Sequence, residues 1–286
     1  MKAPAFDYQK PRSLDALFSL MAAHGDEARL LAGGQTLLAT LNMRLSEPAL
    51  LIDIASIEAL KGMSVRGDVL SIGALVTHSE IEASPLIATH APLLALAAPH
   101  IAHRAIRNRG TWGGSIAYAD PAAEWPACLM ALDGVVVARS ARGERRIPAR
   151  EFFLDLYKTA LTEGEIVAAC ELPLHRPDDV VGFCELARRH GDYAIIGLAM
   201  TARRTPHGLH GLRLSFLGVG ATPWRAEAAE ALFIDRPLTA DAVDEMVAAV
   251  QSTIEPLPDL THSAAMTPAN KGNEYTGSTM KMLPKP

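Results

Sequence analysis

The chain has few cysteines and no grouping of residues that is typical of a metal site. Cys128, Cys170 and Cys184 are the only three cysteines in 286 residues. Thiols so widely separated cannot supply the four thiolates that usually hold an iron–sulfur cluster. They predict free buried thiols in a reducing compartment. The ten histidines are dispersed without metal-ligand spacing, so no metal site is expected on this chain.

The chain also lacks an excess of positive charge and lacks long apolar runs. Lysine and arginine number 27 against 32 aspartate and glutamate residues, which gives a formal net charge of −5. Without a basic excess, nucleic acid is not an expected partner. There is no stretch of 18 apolar residues, so we expect no membrane span. Met1 to Ser13 carries no apolar run and no cleavage site, so we expect no signal peptide and a cytoplasmic location.

The length of 286 residues exceeds one average domain, and 49% hydrophobic residues allow a sizeable core. Short apolar runs predict an α/β lobe over residues 1–57 and a mostly antiparallel β lobe with helices over 58–176. Three strand-like segments and a helix predict a small α+β domain with a three-stranded antiparallel sheet over 177–260. Residues 261–286 are polar and rich in Pro, Gly and Asn, which predicts an extended or mobile tail.

Capping residues mark the starts of several predicted helices. Ser13 precedes apolar residues at helical spacing, and Thr239 does the same further along the chain. Thr77 and Glu80 form a capping-box pattern, in which the side chain of each residue accepts a hydrogen bond from the backbone N–H of the other. The alanine- and leucine-rich segment from Pro92 to Ile101 predicts one more helix.

Two glycine doublets are the most informative local features. The first lies in the segment Ala32-Gly33-Gly34-Gln35-Thr36, and the second in Thr111-Trp112-Gly113-Gly114-Ser115. Neither fits the G-x-G-x-x-G pattern or a P-loop. A residue without Cβ lets backbone N–H groups approach a phosphate and accepts positive φ. One doublet alone is more often a tight turn, but two predict a protein that grips one diphosphate from two sides.

The sequence around the first doublet strengthens this interpretation. Leu30, Leu31 and Ala32 form an apolar run that suits a buried strand, and the residues after Thr36 can open a helix. A strand, a glycine turn and a helix N-terminus together collect anions, because unpaired N–H groups point outward there. Gln35 and Thr36 add side-chain donors.

Four motifs in order produce a resemblance to a known family. They are A-G-G-x-[ST]-L near residue 32, T-x-G-G-[NS] near 111, D-P-x-x-E-x-P at 120–126, and the R-x-G-D-Y-A loop that ends at Ala194. With this spacing the chain resembles the FAD-binding medium subunit of molybdenum hydroxylases, of the xanthine dehydrogenase, aerobic carbon monoxide dehydrogenase and N-heterocycle hydroxylase type. The resemblance runs from Phe6 to about Pro258. It implies an α+β fold, with a two-lobed FAD-binding domain of the vanillyl-alcohol-oxidase-like (PCMH-type) class followed by a small C-terminal domain.

The resemblance also implies which residues bind FAD. The two glycine segments would contact the diphosphate, Asp120 and Glu124 the ribose or adenine, and Ile101 and Leu161 the flavin ring. Asp192 and Tyr193 would lie beside the isoalloxazine. The predicted cofactor-binding residues are Leu31, Ala32, Gly33, Gly34, Gln35, Thr36, Ile101, Thr111, Gly113, Gly114, Ser115, Asp120, Glu124, Leu161, Asp192 and Tyr193. The chain departs from the family at Glu124, where Asp is usual, and at Trp112, where a small aliphatic residue is common.

The implied function is that of an electron-transfer subunit, with no catalytic residue of its own. The family carries molybdopterin on a large subunit and [2Fe-2S] clusters on a small subunit, and we expect a dimer of such heterotrimers. The segment from Arg107 to Gly110 and the D-P-x-x-E-x-P motif look closer to hydroxylases of N-heterocycles than to carbon monoxide dehydrogenase. Two alternatives are a stand-alone FAD oxidoreductase of the same superfamily and a non-catalytic assembly module that has lost FAD.

Overall fold

The computed structural model describes residues 2–234, 236–237 and 239–254, so the tail predicted over 261–286 lies outside the described residues. Helices and strands are mixed along the chain. The strands are β1 Asp7–Gln9, β2 Ala28–Leu31, β3 Leu50–Asp53, β4 Met63–Arg66, β5 Val69–Gly73, β6 Val135–Ser140, β7 Gly143–Pro148, β8 Phe153–Asp155, β9 Lys158–Thr159, β10 Ile166–Pro173, β11 Asp179–Ala187, β12 Ala194–Thr205, β13 Gly208–Leu217 and β14 Trp224–Arg225.

Most helices are short and precede or follow these strands directly. They are α1 Leu14–His24, α2 Leu37–Asn42, α3 His78–Ala83, α4 Pro85–His90, α5 Pro92–Ala97, α6 Arg104–Arg107, α7 Trp112–Tyr118, α8 Glu124–Ala131, α9 Ala149–Phe152, α10 Glu227–Ala231 and α11 Ala240–Thr253. Single 3₁₀ turns cover Gly25–Glu27, Glu58–Leu60 and Ala98–His100.

The first sheet is parallel and has the strand order β1-β3-β2. Helix α1 covers it with buried residues at the spacing that the sequence predicted, Leu14, Leu17 and Phe18. The Ser13 hydroxyl accepts a hydrogen bond from the N–H of Ala16 at 3.2 Å, which confirms the predicted N-cap. Strand β2 leads directly into the first glycine segment, so this small sheet carries that segment at its edge.

The second sheet is antiparallel, with the strand order β4-β5-β10-β6-β7. Helix α3 follows β5 and begins with the predicted capping box: the N–H of Glu80 donates to Thr77 Oγ1, and the N–H of Thr77 donates to Glu80 Oε2 at 2.7 Å. The helix predicted from Pro92 to Ile101 is shorter than expected. It ends at Ala97 because Pro99 has no N–H to donate, and a single 3₁₀ turn follows.

The third sheet has the order β11-β12-β13-β14, in which the first three strands form the predicted antiparallel meander. The structure adds β14, a two-residue strand that the sequence did not predict. Helix α11 packs the buried side chains of Met246 and Val250 on this sheet, and Thr239 caps its start. Thr201 donates to the carbonyl of Ala131 at 2.8 Å, which ties this sheet to α8.

Candidate functional site

The first glycine segment lies against the residues that lead into the second, although 76 positions separate Gly33 from Arg109. A Cβ on Gly33 would stand 2.1 Å from the carbonyl oxygen of Arg109 and 2.8 Å from the Cα of Gly110. Gly34 adopts a φ of +74°, in the left-handed region that favours glycine. The first segment therefore needs both glycines, one for close approach to the second segment and one for its turn.

Backbone donors differ between the two segments. The N–H of Gly113 donates to the carbonyl of Ala74 at 2.8 Å, and the N–H of Gly114 donates to Thr111 Oγ1 at 3.2 Å. A Cβ on Gly113 would stand 2.4 Å from the Cβ of Ala74. The second doublet therefore serves close packing, a role that sequence reasoning missed, and its N–H groups already have acceptors.

The first segment keeps its donors available. Among the residues that the structure describes, the backbone N–H groups of positions 33–36 find no acceptor. The Gln35 side chain turns back and donates to the carbonyl of Gly33 at 3.2 Å. Unpaired N–H groups need a partner when water is displaced. An anionic ligand at this turn would provide one.

A cavity of about 930 Å³ extends from these segments towards Tyr193. This volume lies at the upper end of the range of pockets that hold small organic ligands. Leu31 is the predicted site residue that does not line the cavity, since it packs beside Gly34 instead. The structure does bring the others together around this one space: Ala32, Gly33, Gly34, Gln35, Thr36, Ile101, Thr111, Gly113, Gly114, Ser115, Asp120, Glu124, Leu161, Asp192 and Tyr193.

Tyrosine rings form part of the cavity wall. The rings of Tyr118 and Tyr157 are 5.0 Å apart at their centroids, and both residues line the cavity with Tyr193. Desolvation raises the pKa of Tyr157 to about 12, and the charge of Asp120 adds to this effect. Tyr193 is 73% exposed in the described chain. Sequence reasoning found Tyr193 through its motif but missed Tyr118 and Tyr157, which lie in no recognised motif.

Acidic residues occupy another part of the cavity. The Asp120 carboxylate accepts from the N–H of Ala122 at 2.9 Å, and desolvation raises the pKa of this carboxyl. Desolvation, and next the charge of Glu185, raise the pKa of Glu124 to about 8. Desolvation raises the pKa of Glu185 to about 7. Glu185 does not line the cavity, and no sequence pattern had indicated that it lies behind Glu124.

Arg107 holds the loop that carries Ile101 to the cavity. Its guanidinium donates to the carbonyls of Ile101 and Ala102, each at 3.0 Å, and forms an ion pair with Glu82 at 2.9 Å. Arg107 is itself buried, and a buried guanidinium needs this many acceptors to offset its desolvation. The sequence drew attention to this arginine as a family feature only; its anchoring role comes from the structure.

The loop between β11 and β12 brings Asp192 and Tyr193 to the cavity. Gly191 has a φ of +84°, and a Cβ there would stand 2.6 Å from the ring of His103. Asp192 forms an ion pair with Arg189 at 3.2 Å, and its N–H donates to the Arg189 carbonyl. The turn is thus built from its own residues and positions Tyr193 at its end.

Trp112, which stands where the family commonly has a small aliphatic residue, does not line the cavity. Its indole is fully buried and packs on Trp125, with ring centroids 5.3 Å apart. The large side chain fills the core under the second doublet and does not cover a ligand.

The described residues contain no group of histidine, cysteine and acidic side chains that could hold a metal ion. In the same part of the chain, no helix is both long and apolar enough to cross a membrane.

The fold and this cavity define an α+β protein with a glycine-lined site for an extended, anionic cofactor. Residues 4–175 match the model of the FAD-binding domain in molybdopterin dehydrogenase, and residues 182–266 match that of the carbon monoxide dehydrogenase flavoprotein C-terminal domain. The chain belongs to this family of FAD-binding subunits of molybdenum-containing oxidoreductases.

Individual relatives agree with this assignment. The chain is 38% identical over 265 residues to the 6-hydroxypseudooxynicotine dehydrogenase complex subunit alpha of Paenarthrobacter nicotinovorans, covering 92% of this chain and 90% of the relative. It superposes with a TM-score of 0.94 and 34% identity on a carbon monoxide dehydrogenase from Hydrogenophaga pseudoflava that lacks the molybdenum-pyranopterin moiety of its cofactor, covering 99% and 97%. Quinoline 2-oxidoreductase from Pseudomonas putida 86 superposes with a TM-score of 0.90 and 31% identity, covering 98% and 97%.

The residues present fit FAD. The unpaired N–H groups of positions 33–36 suit a diphosphate, and the absence of a side chain at Gly33 lets this segment lie directly against the backbone of Arg109 and Gly110. Apolar and aromatic side chains, among them Ile101, Leu161 and Tyr193, suit a planar ring system.

Proposed function

We propose that this chain is the FAD-carrying electron-transfer subunit of a multi-subunit molybdenum hydroxylase. It would pass electrons from iron–sulfur centres on a partner subunit through FAD to an acceptor. The observation that carries this proposal is the single cavity that brings together motifs from three distant parts of the chain, around residues 33, 113 and 192. Membership of the family supports it independently.

We assign the predicted residues to three parts of the cofactor. The N–H groups of positions 33–36 would hold the diphosphate, because they are the donors without a protein acceptor. Asp120 and Glu124 would accept hydrogen bonds from the ribose or adenine. Ile101, Leu161 and Tyr193 would enclose the isoalloxazine, and Asp192 would support the turn beside it.

The chain contributes position and environment. Bound FAD supplies the redox chemistry, in which one group can exchange electrons with both one- and two-electron partners. The protein would hold the cofactor in a cavity lined by apolar, aromatic and acidic side chains, and no general acid or base on this chain is required. Desolvation, and next the charge of Asp120, raise the pKa of the phenols of Tyr118 and Tyr157.

The proposed function requires partner subunits, because it also needs molybdopterin and iron–sulfur clusters. A large subunit would carry molybdopterin, where substrate is hydroxylated, and a small subunit would carry the [2Fe-2S] clusters. We propose a dimer of these heterotrimers. The support is that homologous chains are named as medium or alpha subunits of complexes, such as the 6-hydroxypseudooxynicotine dehydrogenase complex.

We further propose an N-heterocycle as the substrate of the complex. Quinoline 2-oxidoreductase, a relative with high structural similarity, acts on such a compound by its name. The Arg107 to Gly110 stretch, which resembles hydroxylases of this type, supports the same proposal. The substrate itself would bind on the large subunit.

The domain division and the location complete the proposal. We divide the chain into FAD-binding lobes at 1–57 and 58–176, a C-terminal domain at 177–260 and a tail at 261–286. The change from parallel to antiparallel sheet and then to a separate meander supports these boundaries. Cys128 and Cys170 are buried free thiols, which favours a reducing compartment such as the cytoplasm.

The first experiment is to purify the chain, record its visible spectrum and identify the chromophore released on denaturation. Stoichiometric FAD is expected, together with flavin reduction when substrate is added to the complex with its partner subunits. Flavin reduction by substrate without any partner would favour a stand-alone oxidoreductase. A colourless chain that takes up no added FAD would overturn the proposal and favour an assembly module.

A further inference from the structure

His78 is a nearly buried histidine among the residues that line the cavity, and sequence reasoning gave it no role. It opens helix α3, and its backbone N–H donates to the carbonyl of Gly110 at 3.0 Å. The residue is only 6% exposed. The second glycine segment and α3 therefore hold the imidazole in place at the cavity wall.

Trp125 determines which ring nitrogen of His78 carries the hydrogen. The indole N–H of Trp125 donates to Nδ1 of His78 at 2.9 Å. An indole nitrogen is only a donor, so Nδ1 must act as the acceptor, and the hydrogen of the neutral imidazole lies on Nε2. Desolvation, and next the positive charge of Arg107, lower the pKa of His78 to about 4. The ring is therefore neutral near pH 7, with Nε2 as a donor.

The Nε2–H of His78 has no acceptor among the residues that the structure describes. A Cβ on Gly110 would stand 2.6 Å from this nitrogen, so Nε2 lies directly over the backbone that leads into Thr111. A donor without a protein acceptor needs a new partner when a bound ligand displaces the water around it. The cavity is the space from which such an acceptor can come.

The donor is rigidly supported. Trp125 is 1% exposed and meets the His78 ring edge-on, at 5.9 Å between centroids and 61° between planes. Trp112 also packs on Trp125, with the ring centroids 5.3 Å apart. The tautomer of His78 is thus set by a side chain that has no freedom to turn away.

We propose that His78 donates a hydrogen bond from Nε2 to an acceptor atom of FAD beside the second glycine segment, and that Trp125 is a positioning residue that fixes the required tautomer. This inference rests on the proposed function, because it needs FAD in the cavity. Gly110 also contributes to this arrangement, since a side chain at that position would displace the imidazole.

The affinity of the full-length chain for FAD tests the donor. His78→Phe keeps a ring of similar shape without the N–H, and we expect FAD to bind about tenfold more weakly, the effect of one hydrogen bond of about 1.4 kcal/mol. His78→Gln places an amide N–H near the position of Nε2, and we expect it to restore most of the affinity. His100→Phe is the matched control, because His100 lies outside the cavity lining, and its affinity should match that of the unchanged chain.

Nitrogen-15 NMR of the unchanged chain tests the tautomer without any variant. We expect hydrogen on Nε2 of His78 and a shift of that signal when FAD is added. Trp125→Phe should produce a mixture of tautomers, whereas Trp112→Phe, an equally buried tryptophan without the hydrogen bond, should keep the single tautomer.

The outcomes separate this inference from the proposed function. If the unchanged chain binds FAD while His78→Phe binds it equally well, or if the hydrogen lies on Nδ1, the inference is overturned and the proposed function stands. If the unchanged chain does not bind FAD at all, both are overturned.

Discussion

Gly33 and Arg109 are in direct backbone contact, so close that a Cβ on residue 33 would stand 2.1 Å from the Arg109 carbonyl oxygen. The contact joins the edge of the parallel sheet to the segment that leads into helix α7. It thereby sets the distance between the two sides of the cavity. The smallest residue at position 33 is a structural requirement of the site.

Gly33→Ala should push the two glycine segments apart. We expect FAD affinity to fall at least tenfold and the free energy of unfolding to fall by about 1–3 kcal/mol, because the Cβ meets backbone that cannot rotate away. Titration with FAD and urea unfolding measure the two effects. Gly220→Ala is the control, since its Cβ would meet nothing nearer than 3.7 Å. Equal affinity in both variants would show that the contact does not shape the site.

Arg107→Met should destabilise the loop that carries Ile101. The substitution removes the hydrogen bonds to the carbonyls of residues 101 and 102 and leaves Glu82 without its ion-pair partner. We expect a loss of about 3 kcal/mol in the free energy of unfolding, measured by urea denaturation. Arg150→Met, which removes an exposed ion pair with Glu151, should cost less than about 0.5 kcal/mol. Similar losses in both variants would contradict the anchoring role.

Glu185→Gln should stabilise the protein at pH 8 and have little effect at pH 4. Desolvation raises the pKa of Glu185 to about 7 in the fold, against an ordinary value of 4.5, so the folded state retains a proton that the unfolded chain releases. Ionisation of Glu185 therefore lowers the free energy of unfolding progressively as the pH rises from 4.5 to 7. At pH 8 the free energy of unfolding should rise by about 1–2 kcal/mol in the variant. This is less than the whole difference in pKa would give, because Glu185 is only partly buried.

Thermal unfolding of both proteins at several pH values measures this difference. Glu171→Gln is a useful control, because Glu171 is paired with Arg146 on the surface of β10. A gain from Glu185→Gln that is the same at pH 4 and pH 8 would mean that the carboxyl does not keep its proton in the fold.

Tyr193→Ala and Asp192→Ala should weaken FAD retention or slow flavin reduction in the assembled complex. Tyr193 is 73% exposed, so its removal should leave the free energy of unfolding nearly unchanged. Tyr193→Phe keeps the ring and should retain FAD as well as the unchanged protein if stacking is the main contact. Flavin content after gel filtration and stopped-flow reduction are the measurements. Unchanged values for both alanine variants would remove this loop from the site.

Local signals predicted much of the fold. Ser13, Thr77 and Thr239 each begin the helix that the sequence predicted, because an N-cap depends only on residues within one turn. The meander over β11, β12 and β13 was predicted from apolar runs and turns. The two-residue strand β14 was not, since it exists only by pairing with β13.

Other features had no signal in the sequence. Nothing local shows that Trp112 turns into the core, that Glu185 lies behind Glu124, or that Leu31 falls outside the cavity lining. Each depends on which elements meet in three dimensions. Tyr118 and Tyr157 were missed for the same reason, because each ring is recognisable as part of a wall only beside the other.

By itself the sequence determined several helix starts, the first glycine turn and the family, because these depend on short segments and on the order of motifs. The tertiary structure alone decided which donors remain available, which glycines serve packing, and how His78 is held. The physical reason is that the decisive contacts join residues far apart in the chain. His78 and Trp125, 47 positions apart, acquire their hydrogen bond only when α3 and α8 pack together.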